Sequence, residues 1–502
     1  MAMSGLTRRE ALRLAAVASA AAALRMPLPA FAGNPAAFDD GNMDVPDGLK
    51  GDLERVVIIG GGWAGLTLAN ALRTAGVDHV LLEARNRVGG RAHTVDLGGL
   101  PMDLGCSWIH QPIGNPMTRW AGMAGVETMN GDVEADYPII RFFDGVAGQE
   151  VGVAERLTPI GHFVYFAQVE SASLAEKYGP GISVQEGWEL YAGGQSMSAD
   201  DLRRASFATR GFSEMVYGKP WGKLSLGGWS WGASESSYLG VGQGNLPRGG
   251  YRGLYGAMAR GGEEHLRLGH RVRSVEVTYR GAKVKARAGK HTIIERGSHV
   301  VCTVPLGVLK RNRIDFSPGL PARKRRAIAH TGFGNIEKVA MVFDDAFWHD
   351  ATHTHILHLA ESGELAFPWW IDMQRTHQVP ALMAFNGGPF ARKLHGMTAG
   401  QRRDLALDQL SAILGYKVPR PVAWKTTDWQ AEPETRGSYS AILKGRTQDD
   451  LDTLAAPLHG RLLFAGEATS RTRHSTADGA MTTGIREAKR LLGTPTVDLT
   501  PG

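Results

Sequence analysis

The segment Val56-Val-Ile-Ile-Gly-Gly-Gly-Trp-Ala-Gly65 limits the folds open to this chain more than any other. Val56 to Ile59 form an unbroken apolar run, the pattern of a parallel strand covered on both faces. Gly60-x-Gly62-x-x-Gly65 follows at once. Glycines at this spacing permit a tight turn, close approach of a pyrophosphate to the backbone, and close packing of helix on strand. Trp63 to Ala75 has helical spacing, and Gly76 ends it. A second strand, Val80-Leu-Leu, leads to Glu83, 18 residues after Gly65. An acid there can hydrogen-bond a ribose while the helix N-terminus faces the pyrophosphate. Strand, turn, helix, strand and acid in register predict a dinucleotide-binding α/β unit that uses Gly60, Gly62, Trp63, Ala64, Gly65 and Glu83.

Glu83 is followed by Ala-Arg85-Asn-Arg87-Val-Gly89-Gly90-Arg91. This tail is similar to the extended fingerprint of FAD-binding oxidases, where glycines and an arginine after the ribose acid cover the diphosphate. The resemblance points to FAD rather than a nicotinamide dinucleotide. It adds Arg85, Gly89, Gly90 and Arg91 to the expected cofactor contacts.

The 502 residues are 43% hydrophobic and 21% charged, a globular composition with room for two domains or one large compound one. Its 65 glycines are spread through turns without a repeat, as in loop-rich α/β structure. Residues 1–32 read as an export signal. Thr7-Arg8-Arg9 is a twin-arginine start; an alanine-rich run, Ala11 to Leu24, follows, then Ala30-Phe-Ala32 as a cleavage site. Ala11 departs from the pattern, which usually has a large apolar residue there. The run is too short to span a bilayer. The expected location is therefore periplasmic or secreted, through the twin-arginine route, with no stable membrane anchor. Four arginines against Glu10 give this segment +3, which leaves +3 of the chain's +6 on the remainder. That balance, without a basic run, is no footprint for nucleic acid. Cys106 and Cys302 are the only cysteines, and both lie in apolar contexts where buried free thiols are expected. No grouping of His, Cys and carboxylates has metal-ligand spacing, so no metal is expected.

Further along, Leu254–Arg260 reads as a short helix and 266–303 as strand-rich, ending in the strand that holds Cys302. Residues 135–248 mix helical patterns with aromatic-rich loops. Pro321–His330 is a basic helix, Ile336–Phe343 and Leu382–Phe385 are strands, and Ala399–Leu414 is an amphipathic helix. A last buried strand starts at Arg461 and is followed by a helix at about Gly479–Leu492. The nucleotide fold is thus expected in three pieces, 54–130, 246–317 and 425–492. A second domain is inserted as 131–245 and 318–424. Residues 33–53 form a linker and 493–502 a tail.

These pieces together resemble the flavin-containing amine oxidases, closest to the polyamine oxidase and lysine-specific histone demethylase branch. The resemblance spans Arg55 to Leu492. It rests on the N-terminal fingerprint, Asp103–His110, Val304-Pro-Leu-Gly-Val-Leu-Lys310, Gly332-Phe-Gly-Asn-Ile-Glu-Lys338, Arg436-Gly-Ser-Tyr439 and Phe464–Gly484, in that order. It implies an α/β fold: a Rossmann-like, glutathione-reductase-type FAD domain with a discontinuous α+β substrate domain. Lys338 matches the lysine that holds a water beside flavin N5 and is linked to oxygen reactivity. Reduction of oxygen develops negative charge, which a nearby cation stabilises. Read alone, a lysine there would be a solvent-exposed strand residue.

The resemblance also implies a substrate site of His110, Trp429, Tyr439 and Thr476. Tyr439 matches one of two aromatics that enclose the amine in many members. Thr476 occupies the other place, as in the demethylase and spermine oxidase branch, and leaves that side open. Gly105, Gly466, Glu467, Thr476 and Ala477 are expected against the FAD, with Val272 holding the adenine by its backbone. Ser438 stands where monoamine oxidases carry the cysteine that bonds the flavin, so the FAD is expected to be noncovalent.

The implied reaction is oxidative deamination of a secondary or primary small-molecule amine, polyamines included, to an imine and aldehyde, with O2 reduced to H2O2. The pocket must favour the neutral amine, since a protonated one reacts poorly. Three alternatives stay open: an L-amino-acid oxidase, which needs an arginine for the carboxylate; a periplasmic amine dehydrogenase that uses an electron carrier; and a nonenzymatic flavin scaffold, disfavoured by the export signal. Which amine, and which oligomeric state, the sequence leaves open.

Overall fold

The computed structural model describes residues 37–38, 49, 52–110, 112, 114–130, 140–235, 244–349, 355–360 and 363–502. The expected signal segment, 1–32, lies outside them.

A parallel five-stranded sheet carries the nucleotide fingerprint. Its order is Leu266–Arg267, Asp78–Leu82, Arg55–Ile59, His299–Cys302, Leu462–Phe464. Val56 and Ile58 face the helices Trp63–Thr74 and Ala477–Leu492, while Val57 and Ile59 face a mixed layer containing Val272, Val275 and Val284. Cover on both faces is why the strand reads as a continuous apolar run rather than an alternation. Gly65 lets the helix approach the strand: a Cβ there would lie 1.9 Å from the Gly60 carbonyl oxygen. Gly484 plays the same part between the two helices, where a Cβ would meet the Ala64 oxygen at 2.5 Å.

The covering layer has four strands, His291–Gly297, Gly281–Ala288, His270–Thr278 and Asp315–Ser317. A register shift between Val272 and Ser274 bulges this layer where it borders the main cleft.

Both inserted segments build one seven-stranded sheet. Its order is Ala423–Thr426, Ile336–Val342, Ala381–Gly387, Trp369–Asp372, His355–Leu359, Ile140–Asp144, Gln149–Glu150. Alternation decides its two faces. Val339 and Met341 pack with Leu394, Ala406 and Leu410, on the helices Gly388–His395 and Ala399–Leu414. The opposite face carries Lys338, and farther along Ala340 and Val342 pack against Leu97 and Met102 of a hairpin from the first segment. Helices Val153–Tyr165 and Ala199–Tyr217 stand over the free end of that face. Helix Ala399–Leu414 matches the sequence reading because its start is written locally: Thr398 and Gln401 form a capping box. The last long helix starts at Ala477 rather than near Gly479, since Thr476 is its N-cap.

Candidate active site

One cavity of about 560 Å³ joins the parallel sheet to the seven-stranded sheet. Its first half is the nucleotide cleft. Gly60 takes φ +109°, a conformation side chains rarely adopt, and turns the chain out of the strand. Gly62 is the N-cap of helix Trp63–Thr74, with no side chain capping it, and a Cβ on Gly62 would meet nothing within 4 Å. The uncapped helix end therefore faces open cavity, the arrangement that suits a pyrophosphate. The buried Trp63 Nε1 at this end has no hydrogen-bond partner among the described residues. Glu83, buried, accepts from Gly61 N at 2.7 Å and Arg85 N at 2.8 Å, which fixes its carboxylate at the end of the second strand. These features fit an adenine dinucleotide.

A charged cluster closes the middle of the cavity. Arg91 donates to the Ser438 carbonyl at 2.6 Å and to Glu467 at 2.9 Å. The other Glu467 oxygen accepts from Ser440 Oγ at 2.6 Å and Ser475 N at 3.0 Å. Burial alone would favour the neutral acid; Arg91 and the Ser440 donors outweigh it and hold the Glu467 carboxyl below its ordinary value. Glu467 thus lines the cavity with both carboxylate oxygens engaged, fixing Arg91 and the loops around Ser440 and Ser475.

Lys338 lies where the two halves meet. Its strand is interior, between 381–387 and 423–426, so the side chain is buried rather than solvated. The ammonium donates to the carbonyls of Asp103 at 3.0 Å and Gly105 at 2.5 Å and to Ser107 Oγ at 2.8 Å. Burial lowers its pKa to about 8, although the nearby Asp103 and Cys106 push it up. Asp103 is buried as well, and burial raises its carboxyl to about 6 against the opposing bonds from Thr94 and Tyr251. The next residue, Glu337, points the other way. It accepts from Thr427 Oγ1 at 2.5 Å and Trp429 N at 3.0 Å, and burial raises its carboxyl to about 7. One strand therefore sets the ammonium on the cavity side and anchors the Trp429 wall from the other.

All but one of the residues singled out from sequence line this cavity: Gly60, Gly62, Trp63, Ala64, Glu83, Arg85, Gly89, Gly90, Arg91, Gly105, His110, Val272, Lys338, Trp429, Tyr439, Gly466, Glu467, Thr476 and Ala477. The exception is Gly65, which serves helix–strand packing and is absent from the lining. Thr476 also caps a helix with its hydroxyl, which accepts from Gly479 N at 3.0 Å and donates to the Arg473 carbonyl at 2.8 Å. Ser438 is also engaged; its Oγ accepts from Ile336 N at 2.8 Å and donates to the Ile336 carbonyl at 3.0 Å. His110 stacks on Trp108, and burial lowers its pKa to about 4.

The far half of the cavity is not legible in the sequence. Its floor is Phe385, Trp369, Leu357, Ile371 and His355, and its roof is Ile160, Phe163, Phe212, Met215 and Val216. The available signals were the alternation His355/Leu357 and Trp369/Ile371 and the helical spacing Phe212/Met215/Val216, both of which mark any buried face. Among the described residues, no group of three or more His, Cys, Asp or Glu is placed to hold a metal ion.

Comparison with known proteins decides the family. The model of flavin-containing amine oxidoreductases matches residues 63–492. The chain belongs to that family. It is 29% identical over 459 residues to Polyamine oxidase 2 of Arabidopsis thaliana, covering 88% of each chain. It is 30% identical over 452 residues to Lysine-specific histone demethylase 1 homolog 2 of the same plant, covering 88% of this chain and 59% of that one. Its fold matches a redesigned putrescine oxidase at a TM-score of 0.73 with 23% identity, over 89% of this chain and 99% of that one. As a flavin-containing amine oxidoreductase, the chain uses FAD to oxidise amines. The FAD is noncovalent, in keeping with the serine rather than cysteine at position 438.

Proposed function

We propose that the chain is an oxidase of small primary or secondary amines that returns its electrons to O2 as H2O2. The observation that carries this reading is the buried Lys338 ammonium at the junction of a dinucleotide cleft and an apolar slot. FAD supplies the hydride acceptor: the amine loses a hydride equivalent from the carbon beside nitrogen, and the resulting imine hydrolyses in water. The protein residues do the rest. The apolar slot desolvates the amine and favours its neutral form. Tyr439 presents a ring face that orients it. Lys338 supplies a fixed positive charge where negative charge develops on oxygen.

The amino-acid oxidase reading needs an arginine in the slot. Among the described residues no arginine belongs to its floor or roof, and Arg91 and Arg271 pair with Glu467 and Glu434 on the cofactor side. A peroxide-coupled screen of amines and amino acids, repeated with artificial electron acceptors, tests the proposal. Peroxide in step with amine loss is expected. Turnover only with artificial acceptors would make the chain a dehydrogenase, and turnover of amino acids alone would restore the arginine-dependent reading.

We also propose export through the twin-arginine route, on the strength of Arg8-Arg9 and the apolar run after them. Among the described residues, no helix is long and apolar enough to cross a membrane. Replacing both arginines by lysine should leave the flavin-loaded protein in the cytoplasm; unchanged export would contradict the signal.

A further inference from the structure

One cross-strand row of the seven-stranded sheet runs along the cavity floor, beside the His355–Ile371 pair. Lys338 pairs across to Phe385, Phe385 to Trp369, and Trp369 to Leu357. Three strand spacings make this floor about 14 Å long. The helices above it supply hydrocarbon, aromatic and thioether surface, with Phe212, Met215 and Val216 on one of them. The row is therefore apolar from Phe385 to Leu357, with His355 beside its far end.

Its ionisable groups carry no compensating charge. Among the described residues, no aspartate or glutamate lines the slot; the cavity's acids are Glu83, Glu434 and Glu467, all on the cofactor side. Two histidines remain. Burial keeps both His110 and His355 neutral near pH 7. Trp369 Nε1 donates to His355 Nδ1 at 3.0 Å, so the ring's proton sits on Nε2, a donor that cannot accept from an ammonium. Behind His110, Arg473 and Asp478 neutralise each other as an ion pair.

We propose that the substrate is an apolar amine with a single positive charge in solution, an alkyl- or arylalkylamine, and not an oligoamine. The proposal rests on the amine-oxidising reading of the same cavity. A monoamine sheds its one proton on entry and lays its tail along the Phe385–Trp369–Leu357 row. An oligoamine would have to bury a second ammonium with no carboxylate among the described lining residues to receive it, or give up that proton too.

The test uses the FAD-loaded protein and a matched pair, N-methylhexylamine and N-methyl-1,6-diaminohexane. Turnover is followed as kcat/KM, and binding as the change in flavin absorbance under nitrogen. The expected result is a preference for the monoamine of at least about a hundredfold, equal to about 2.7 kcal/mol. Leu357→Asp should narrow that preference about tenfold by placing a carboxylate at the end of the row. If neither amine reduces the flavin but the monoamine still binds a hundredfold tighter, the oxidation reading falls and this one stands. Equal handling of both amines by the wild-type protein, or no binding of either, overturns the proposal.

Discussion

The two halves of the cavity are built on different principles. The cofactor half is specified by backbone: Gly60 at positive φ, an uncapped helix end at Gly62, and Gly65 against the Gly60 carbonyl. The substrate half is specified by side chains from distant strands and helices, such as Leu357, Trp369 and Phe212, any of which another apolar residue of similar volume can replace. A backbone requirement admits one residue type; a packing requirement admits several. The first half should therefore break under single substitutions that the second half absorbs as a change of preference.

The severest break should come at Gly65. Gly65→Ala places a Cβ 1.9 Å from a backbone oxygen that cannot rotate away. Overpacking of this kind costs about 3 kcal/mol or more, and the protein should be recovered colourless or insoluble. The ratio of flavin to protein absorbance reads this directly.

Glu467→Gln should come next. It leaves Arg91 without its carboxylate, and removing one partner of a buried pair costs about 3 kcal/mol, the low end because Arg91 is 23% exposed. Thermal unfolding of the flavin-loaded protein should move down by several degrees, whereas Phe212→Leu in the substrate half should leave it nearly unchanged. Equal shifts would erase the distinction between the halves.

A smaller effect is expected from pH. With Lys338 at about 8, the ammonium is present below that value and lost above it. Reoxidation by O2 should slow about tenfold as pH rises through 8, while flavin reduction speeds up as more amine is neutral. Stability runs the other way for this group: between 8 and 10.5 the unfolded chain binds more protons, so Lys338 contributes rising stability with rising pH. The smallest effect should be Tyr439→Phe, since it keeps the ring that faces the amine and removes the hydroxyl alone. A loss under about fivefold in kcat/KM is expected, against a much larger one for Tyr439→Ala, where the ring itself is lost.

The same contrast explains what was legible in the sequence. The strand at Arg55–Ile59, the helix after it and Glu83 were readable because each element's rule is local and the elements follow one another. Helix Ala399–Leu414 was readable to the residue because its capping box lies within a few positions. The strands Ile140–Asp144, His355–Leu359 and Trp369–Asp372 were not read, since the first two pair with each other across more than 200 residues and short apolar runs do not announce their partners. Lys338 was legible only through its resemblance to a family. Nothing near it in sequence signals that the carbonyls of Asp103 and Gly105 and the Ser107 hydroxyl would surround it. Thr476 was legible as a wall but not as a cap, because its partner Gly479 was placed at the helix start rather than inside it.

Lys338→Met gives the most direct test, with the two half-reactions separated by stopped-flow. Reduction by a good amine should change by less than about threefold. Reoxidation by O2 should slow by about a hundredfold to a thousandfold, the loss of about 2.7–4 kcal/mol of charge stabilisation. Equal slowing of both half-reactions, or unchanged reoxidation, would contradict the placement of Lys338 as the cation that serves oxygen.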